Sequence, residues 1–292
     1  MTPIRFYRDF DFEYEVLETV SPLVRRIVAR NPGPFTGTGT GTYIVGHGRV
    51  AVIDPGPAIS SHTDAILRSL GGETVDAILI THSHVDHWPG MAEIQRATGA
   101  RTYGFGSKAG KSEGGGPENS YYGSITDLAI GEGETFDGPG WHLTALHTPG
   151  HASDHLCFAL AEEKVLFSGD HVMGWSTSII MPPDGDMADY MRSLELLLDR
   201  DDALYLPTHG PPVTEPKPYV LALLEHRRER RAAILRRLAK GPATISEIVE
   251  AVYTDVARGL HGAAAQSVLA HLIELAESDE VSSDGRLYRL AR

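Results

Sequence analysis

The decapeptide THSHVDHWPG, residues 81–90, constrains this chain more than any other segment. It sets His82, His84, Asp86 and His87 side by side, directly after the apolar run Ala77–Ile80, which reads as a buried strand. A strand end is a rigid platform for ligands, because the sheet holds the first residues of the loop in place. In His82-x-His84 two imidazoles can converge on one cation, and Asp86 with His87 follow at a spacing that serves a second. The plain alternative is a polar exposed loop, and the rest of the chain decides between them.

One cluster does not complete two sites. Three further candidates each lie just past an expected strand: His151 in HTPGHASDH, Asp170 at the end of KVLFSGD, and His209 after ALYLPTHG. Recurrence at strand ends favours a metal centre over a polar loop, with all seven groups gathered at one edge of the sheets. The single cysteine, Cys157, excludes an internal disulfide and any cysteine-rich zinc site. Between Leu156 and Phe158 it reads as a small buried hydrophobe. Histidine and carboxylate must therefore hold any metal, and 14 His make the supply adequate.

From about residue 41 to 214, short apolar strands alternate with amphipathic helices. Thr42–Val45 and Val50–Asp54 read as a hairpin turned at Gly46-His47-Gly48, Ser61–Leu70 and Gly90–Ala97 as helices, and Arg101–Tyr103 as a strand. Residues 104–123, rich in Gly and Ser, read as a long mobile loop. Strands return at Trp141–Leu146, Leu156–Leu160, Lys164–Phe167 and Leu204–Leu206, with a helix over Met187–Leu198. Pro207, Pro211, Pro212, Pro216 and Pro218 then punctuate a boundary, which divides the chain into units 1–215 and 216–292. Beyond it, Tyr219–Ala239 reads as a long helix with Leu221, Leu224 and Ile234 on its apolar face. Thr244-Ile245-Ser246-Glu247 has the spacing of a capping box, opening a helix to about Tyr253. A third helix from Ala263 to Glu277 and a hairpin turned at Asp284-Gly285 complete the order of a winged helix.

The net charge of −13 is uneven. Residues 217–292 carry 12 Lys and Arg against 10 Asp and Glu, a balance of +2 that leaves −15 on residues 1–216. No apolar run reaches the ~18 residues that span a bilayer. The first residues, MTPIRFYRDFDFEYEVLE, lack the apolar stretch of a secretory signal, so a cytoplasmic location is expected.

Across roughly residues 20–215 the chain resembles the metallo-beta-lactamase fold superfamily. The H-x-H-x-D-H signature matches His82, His84, Asp86 and His87, and later motifs match His151, Asp170 and His209. The resemblance implies an α/β fold, a four-layer αββα sandwich, with His82, His84 and His151 on one metal, Asp86, His87 and His209 on another, and Asp170 bridging. It implies two Zn²⁺ ions; iron or manganese suits the same donors. Zinc beta-lactamases of the cysteine-containing subclasses place a cysteine where this chain has Asp170. Glyoxalase II is similar in its ligand set but carries a helical C-terminal segment. The nearest resemblance, from NPGPFTGTGTGTYIVG through HTPGHASDH to the winged-helix-like unit, is to the branch containing beta-lactamase-like protein 2, an endoribonuclease.

Such a site implies hydrolysis by a metal-bridging hydroxide, with Asp170 balancing charge and Asp86 orienting the nucleophile. Asp54 in VIDPG and His155 read as supports of the site rather than ligands, and His171 as pointing away from it. Small acyl substrates (esters, thioesters or lactones) are the first expectation, because an acidic body repels a polyanion. Single-stranded RNA is the second, resting on the family branch and on Glu225–Lys240, with seven basic and two acidic residues; the plainer reading of that stretch is a solvated helix face. A DNA-binding regulator is the third, for which +2 is a weak charge. The sequence sets no oligomeric state and is compatible with a homodimer.

Overall fold

The computed structural model describes residues 4–106, 125–254 and 256–291. Strands β1 (Glu18–Thr19), β2 (Val24–Val28), β3 (Gly41–Val45), β4 (Arg49–Ile53), β5 (Thr74–Leu79), β6 (Arg101–Phe105) and β7 (Leu128–Ile130) pair in that order as one sheet. Strands β8 (Thr135–Gly138), β9 (Trp141–His147), β10 (Leu156–Leu160), β11 (Val165–Gly169) and β12 (Leu204–Pro207) form a second, ordered β12-β11-β10-β9-β8. Helices α1 (Ser60–Leu70) and α2 (Met91–Thr98) cover the outer face of the first sheet. Helix α3 (Met187–Leu198) and the long α4 (Pro216–Leu238) cover that of the second.

The apolar strands are continuous rather than alternating because both faces of each sheet are buried. Residue parity then divides each strand between two cores. In β10, Leu156, Phe158 and Leu160 face the other sheet, whereas Cys157 and Ala159 face the helices. In β4, Ala51 and Ile53 point inward, and Val50 and Val52 pack beneath α1 and α2. The result is the expected α-β-β-α layering. Cys157 is buried, as its setting predicts.

Several short strands escape a reading by apolar pattern. β2 reads VRRIV, and paired arginines argue against a buried strand. Both are nonetheless buried. Arg25 reaches Glu73 at 2.8 Å and the Gly46 carbonyl at 2.8 Å; Arg26 pairs with Glu18 at 2.7 Å and lies over the Phe10 ring. β6 runs on through Phe105, past residue 104 where a loop is expected to begin, and most of the expected segment, residues 107–123, lies outside the described residues.

The C-terminal elements are α4, α5 (Ile245–Val252), α6 (His261–Glu277) and the hairpin β13 (Val281–Ser283) with β14 (Tyr288–Leu290). The capping box is present: Glu247 N–H donates to Thr244 Oγ1 at 3.3 Å, and Thr244 N–H donates to Glu247 Oε2 at 2.8 Å. The boundary expected at 215/216 coincides with the start of α4, but α4 serves both sides. Its first half places Tyr219, Val220, Leu223 and Leu224 in the core beneath the second sheet; its second half places Ile234 and Leu238 in the winged-helix core. Leu221, expected on the apolar face, is 45% exposed; the buried stripe runs through Val220, Leu223, Leu224 and Arg227. Among the described residues, no helix is long and apolar enough to cross a membrane.

Two expectations follow from this packing. Leu223→Ala should lower unfolding free energy by about 2–5 kcal/mol in denaturant titration, and Leu221→Ala by less than about 0.5 kcal/mol. His62, buried with Nε2 2.9 Å from Thr42 Oγ1, has its pKa pushed down by burial to about 4. It stays neutral in the fold while the unfolded chain protonates near 6.5, so stability should fall as pH drops from about 6.5 toward 4. In His62→Gln that part of the pH dependence should flatten.

Candidate metal centre

The strands that feed the site run in matched directions. β4 and β5 are parallel, as are β11 and β12, and β9 is parallel to β11 through their shared antiparallel partner β10. Their C-terminal ends therefore lie at one edge, with Asp54 after β4, His82–His87 after β5, His151 after β9, Asp170 after β11 and His209 after β12. Main-chain hydrogen bonds join the two sheets there: Gly41 N–H to Thr208 O and Leu156 N–H to Thr81 O, each 2.7 Å.

All seven expected donors meet in this place. His82, His84 and His151 form one group, Asp86, His87 and His209 another, and His82, His87 and Asp170 a third that overlaps both. Asp170 Oδ2 lies 3.6 Å from His151 Nε2 and 3.7 Å from His87 Nε2, and its Oδ1 lies 3.5 Å from His209 Nε2.

The hydrogen-bond partners fix which ring nitrogen faces inward. The Thr81 hydroxyl donates to Asp54 Oδ2 at 2.7 Å, so it accepts at 3.0 Å from His82 Nδ1–H. His151 Nδ1–H donates to the Ile179 carbonyl at 2.6 Å, His209 Nδ1–H to the Gly39 carbonyl at 3.1 Å, and His87 Nδ1–H to Asp54 Oδ2 at 2.8 Å. In its neutral form each of these four rings thus turns an Nε2 lone pair toward the cluster.

That inward set fits cations. The buried His87 Nε2, His209 Nε2 and Asp170 Oδ1 have no hydrogen-bond partner. They stand 3.1–3.7 Å from neighbouring donors, the shortest separation being His209 Nε2 to Asp86 Oδ2, and such spacings suit groups sharing one ion at about 2.0–2.2 Å. On the other side, His84 Nδ1 lies 2.9 Å from His82 Nε2 and 3.0 Å from His151 Nε2. A single proton on His84 Nδ1 can serve only one of these lone pairs, so the other is left facing nitrogen unless a cation sits between them.

The electrostatics differ across the cluster. Burial, reinforced by neighbouring imidazoles, holds His82 well below the usual histidine range and His84 at about 4. For His87 burial also lowers the pKa, but Asp86, Asp54 and Asp170 outweigh it and raise it well above that range. Burial would raise Asp170, yet His209 and His87 hold it well below the usual carboxylate range. The carboxylate side therefore calls for positive charge, which without metal only a protonated histidine supplies.

Asp54 acts as expected, as a support. It sits just past β4 with φ +48°, and its oxygens accept from Thr81 N–H, Thr81 Oγ1, Thr208 Oγ1 and His87 Nδ1. His155 is also a support: its Nε2 accepts the Asp170 N–H at 3.1 Å, and its Nδ1–H faces Thr148 Oγ1 at 2.9 Å. Gly169 allows this contact, because a Cβ there would lie 2.4 Å from His155 Nε2. His171 is buried against the Tyr190 ring and belongs to none of the donor groups. The Gly39 and Ile179 carbonyls and the threonines were not singled out from sequence. The threonines left a signal in the Thr-His dipeptide repeated at 81–82 and 208–209; carbonyls leave none.

Comparison with known proteins agrees with this geometry. Residues 36–209 match the family model described as the metallo-beta-lactamase superfamily. The chain belongs to that superfamily. Residues 244–289 match the beta-lactamase associated winged helix domain. A lactamase-like protein of Aspergillus niger is 30% identical over 291 residues, covering 92% of this chain and 85% of its own. An atrochrysone carboxyl ACP thioesterase of Aspergillus novofumigatus is 32% identical over 286 residues, covering 92% and 84%. A metallo-beta-lactamase family protein of Thermus thermophilus superposes with TM-score 0.73 at 24% identity, over 93% of this chain and 100% of the other. A beta-lactamase domain protein of Burkholderia ambifaria gives 0.78 at 18%, over 97% and 96%. The chain is a hydrolase of this superfamily, with a C-terminal winged helix.

The anchoring of His87 is open to test. Asp54→Ala should weaken metal binding by about 10- to 100-fold, as loss of a ligand's outer partner does elsewhere. Titration against a chelating dye would show it, and unchanged affinity would remove Asp54 from the support of the centre.

Proposed function

We propose that this chain is a dinuclear zinc-dependent thioesterase, with His82, His84 and His151 holding one ion, Asp86, His87 and His209 the other, and Asp170 shared. The observation that carries the reading is the seven-donor cluster, in a chain whose relatives of similar length include ACP thioesterases at 32% identity. When bound, two zinc ions supply Lewis acidity that polarises a carbonyl and makes water acidic enough to ionise near neutral pH.

The chain's own groups divide the remaining work. The Asp170 side chain, 9% exposed, lies between both histidine groups and balances charge there. That of Asp86, 27% exposed, is the more open carboxylate, placed to accept hydrogen from water approaching the cluster. Phe35, Val85 and Met181 are 58%, 42% and 41% exposed, and all three lie on segments that carry ligands or the carbonyls orienting them. An apolar acyl group would find contact there, whereas the −15 of residues 1–216 repels a polyanion.

The feature behind the RNA expectation is largely engaged within the fold. Arg227 is buried, Arg228 pairs with Glu195 at 2.8 Å, Arg230 donates to the Val252 carbonyl at 2.6 Å, and Arg231 binds Glu274 at 3.0 Å and also Glu280. A helix face committed to its own fold has few cations left for phosphates.

Protein purified without chelator should contain close to two transition-metal ions per chain and hydrolyse acyl thioesters. Asp170→Asn should lose metal and nearly all turnover. Steady-state assays on thioesters, esters, lactones and labelled RNA test the substrate class. Cleavage of RNA with no thioester turnover would overturn it.

A further inference from the structure

The C-terminal helix α4 sends one charged side chain into the body of the sandwich. Arg227 is 2% exposed, and among the described residues no carboxylate pairs with it. Burial of an unpaired guanidinium is unfavourable in general, so the contacts it does make are informative. Its Nη2–H donates to the Ser178 carbonyl, and the next carbonyl, that of Ile179, accepts from His151 Nδ1 at 2.6 Å. One residue therefore separates the Arg227 contact from the atom that sets the tautomer and direction of His151.

A second arm runs through Tyr190. The Arg227 guanidinium carbon lies 5.2 Å from the Tyr190 ring centroid, and the Tyr190 hydroxyl donates at 3.1 Å to the carbonyl of His171, which follows Asp170. The Tyr190 backbone is also pressed against Gly150, where a Cβ would lie 2.3 Å from Tyr190 Cα. Gly150 precedes His151 and accepts from Asp186 N–H at 2.9 Å. Both arms from one guanidinium thus end beside His151 and Asp170, whose inward atoms are 3.6 Å apart.

We infer that Arg227 is a positioning residue for the His151–Asp170 side of the centre, so that the helix leading into the winged helix sets metal affinity. This rests on the metal reading above. Packing alone would affect folding and nothing else. Positioning through the Ser178 carbonyl and the Tyr190 ring would alter ligand geometry in chains that remain folded. It also needs a cation that can donate, so lysine should replace arginine in part and methionine should not.

The test measures zinc affinity of the full chain by competition with a chromophoric chelator, the visible spectrum of its Co²⁺ form, and unfolding of the chelator-treated protein. Arg227→Met should weaken at least one ion by about 10- to 100-fold and shift the cobalt bands, and Arg227→Lys should recover most of both. If Arg227→Met lowers only the unfolding midpoint, with wild-type affinity and cobalt spectrum, the inference fails. Should Arg227→Met not fold, Tyr190→Phe keeps the ring and removes only the hydroxyl bond to His171. It should still perturb the cobalt spectrum, and wild-type affinity and spectrum in Tyr190→Phe would overturn the inference. Wild-type protein that binds no ion would overturn the metal reading itself. Two bound ions with indifferent variants would overturn only the role of Arg227.

Discussion

The Asp54 carboxylate takes hydrogen bonds from the Thr81 backbone and hydroxyl, from the Thr208 hydroxyl and from His87 Nδ1. These donors follow two strands in different sheets, β5 and β12, while Asp54 itself follows β4, so one buried group joins the two sheets at the edge where the donor groups gather. Its removal from water would cost several kcal/mol without partners; four donors offset that cost, and each donor is thereby fixed. Thr81 in turn fixes His82, and Asp54 fixes His87 directly. The left-handed backbone at Asp54, φ +48°, is uncommon for a residue other than glycine and is retained where this hub requires it.

The sandwich supplies the rigidity that such a hub needs. Strands buried on both faces put alternate residues into two cores, so a slip of one residue would exchange the cores and displace every ligand at the strand's end. The seven donor residues sit one to eight residues past those ends, close enough to inherit the order of the sheets. The carbonyls of Gly39 and Ile179 then complete the orientation of His209 and His151 from loops outside the strands.

The long helix α4 gives the two parts of the molecule a common element. Its first half belongs to the core beneath the second sheet and its second half to the winged-helix core, with Arg227 between them. The basic appearance of residues 225–240 is therefore misleading as a guide to ligands. Arg227 and Arg231 use their charge on contacts inside the protein, the first on a carbonyl and the second on Glu274 and Glu280.

Much of the site was legible in the sequence because metal ligands must be histidine or carboxylate and must be held at strand ends. His82, His84, Asp86, His87, His151, Asp170 and His209 meet those two grounds, as does Asp54, which the structure uses as a hydrogen-bond acceptor instead. The capping box at Thr244 was equally legible, since both of its partners lie within one helical turn. What the sequence could not show depends on partners distant along the chain. β2 carries two arginines into a buried strand because Glu73, Gly46, Glu18 and Phe10 come to meet them. The tautomers of His151 and His209 are set by carbonyls, which every residue possesses and no sequence pattern marks. Residue type and local spacing determined which groups are available for chemistry; only the tertiary structure decided which way each one faces, because orientation is imposed by hydrogen bonds between segments that the fold alone brings together.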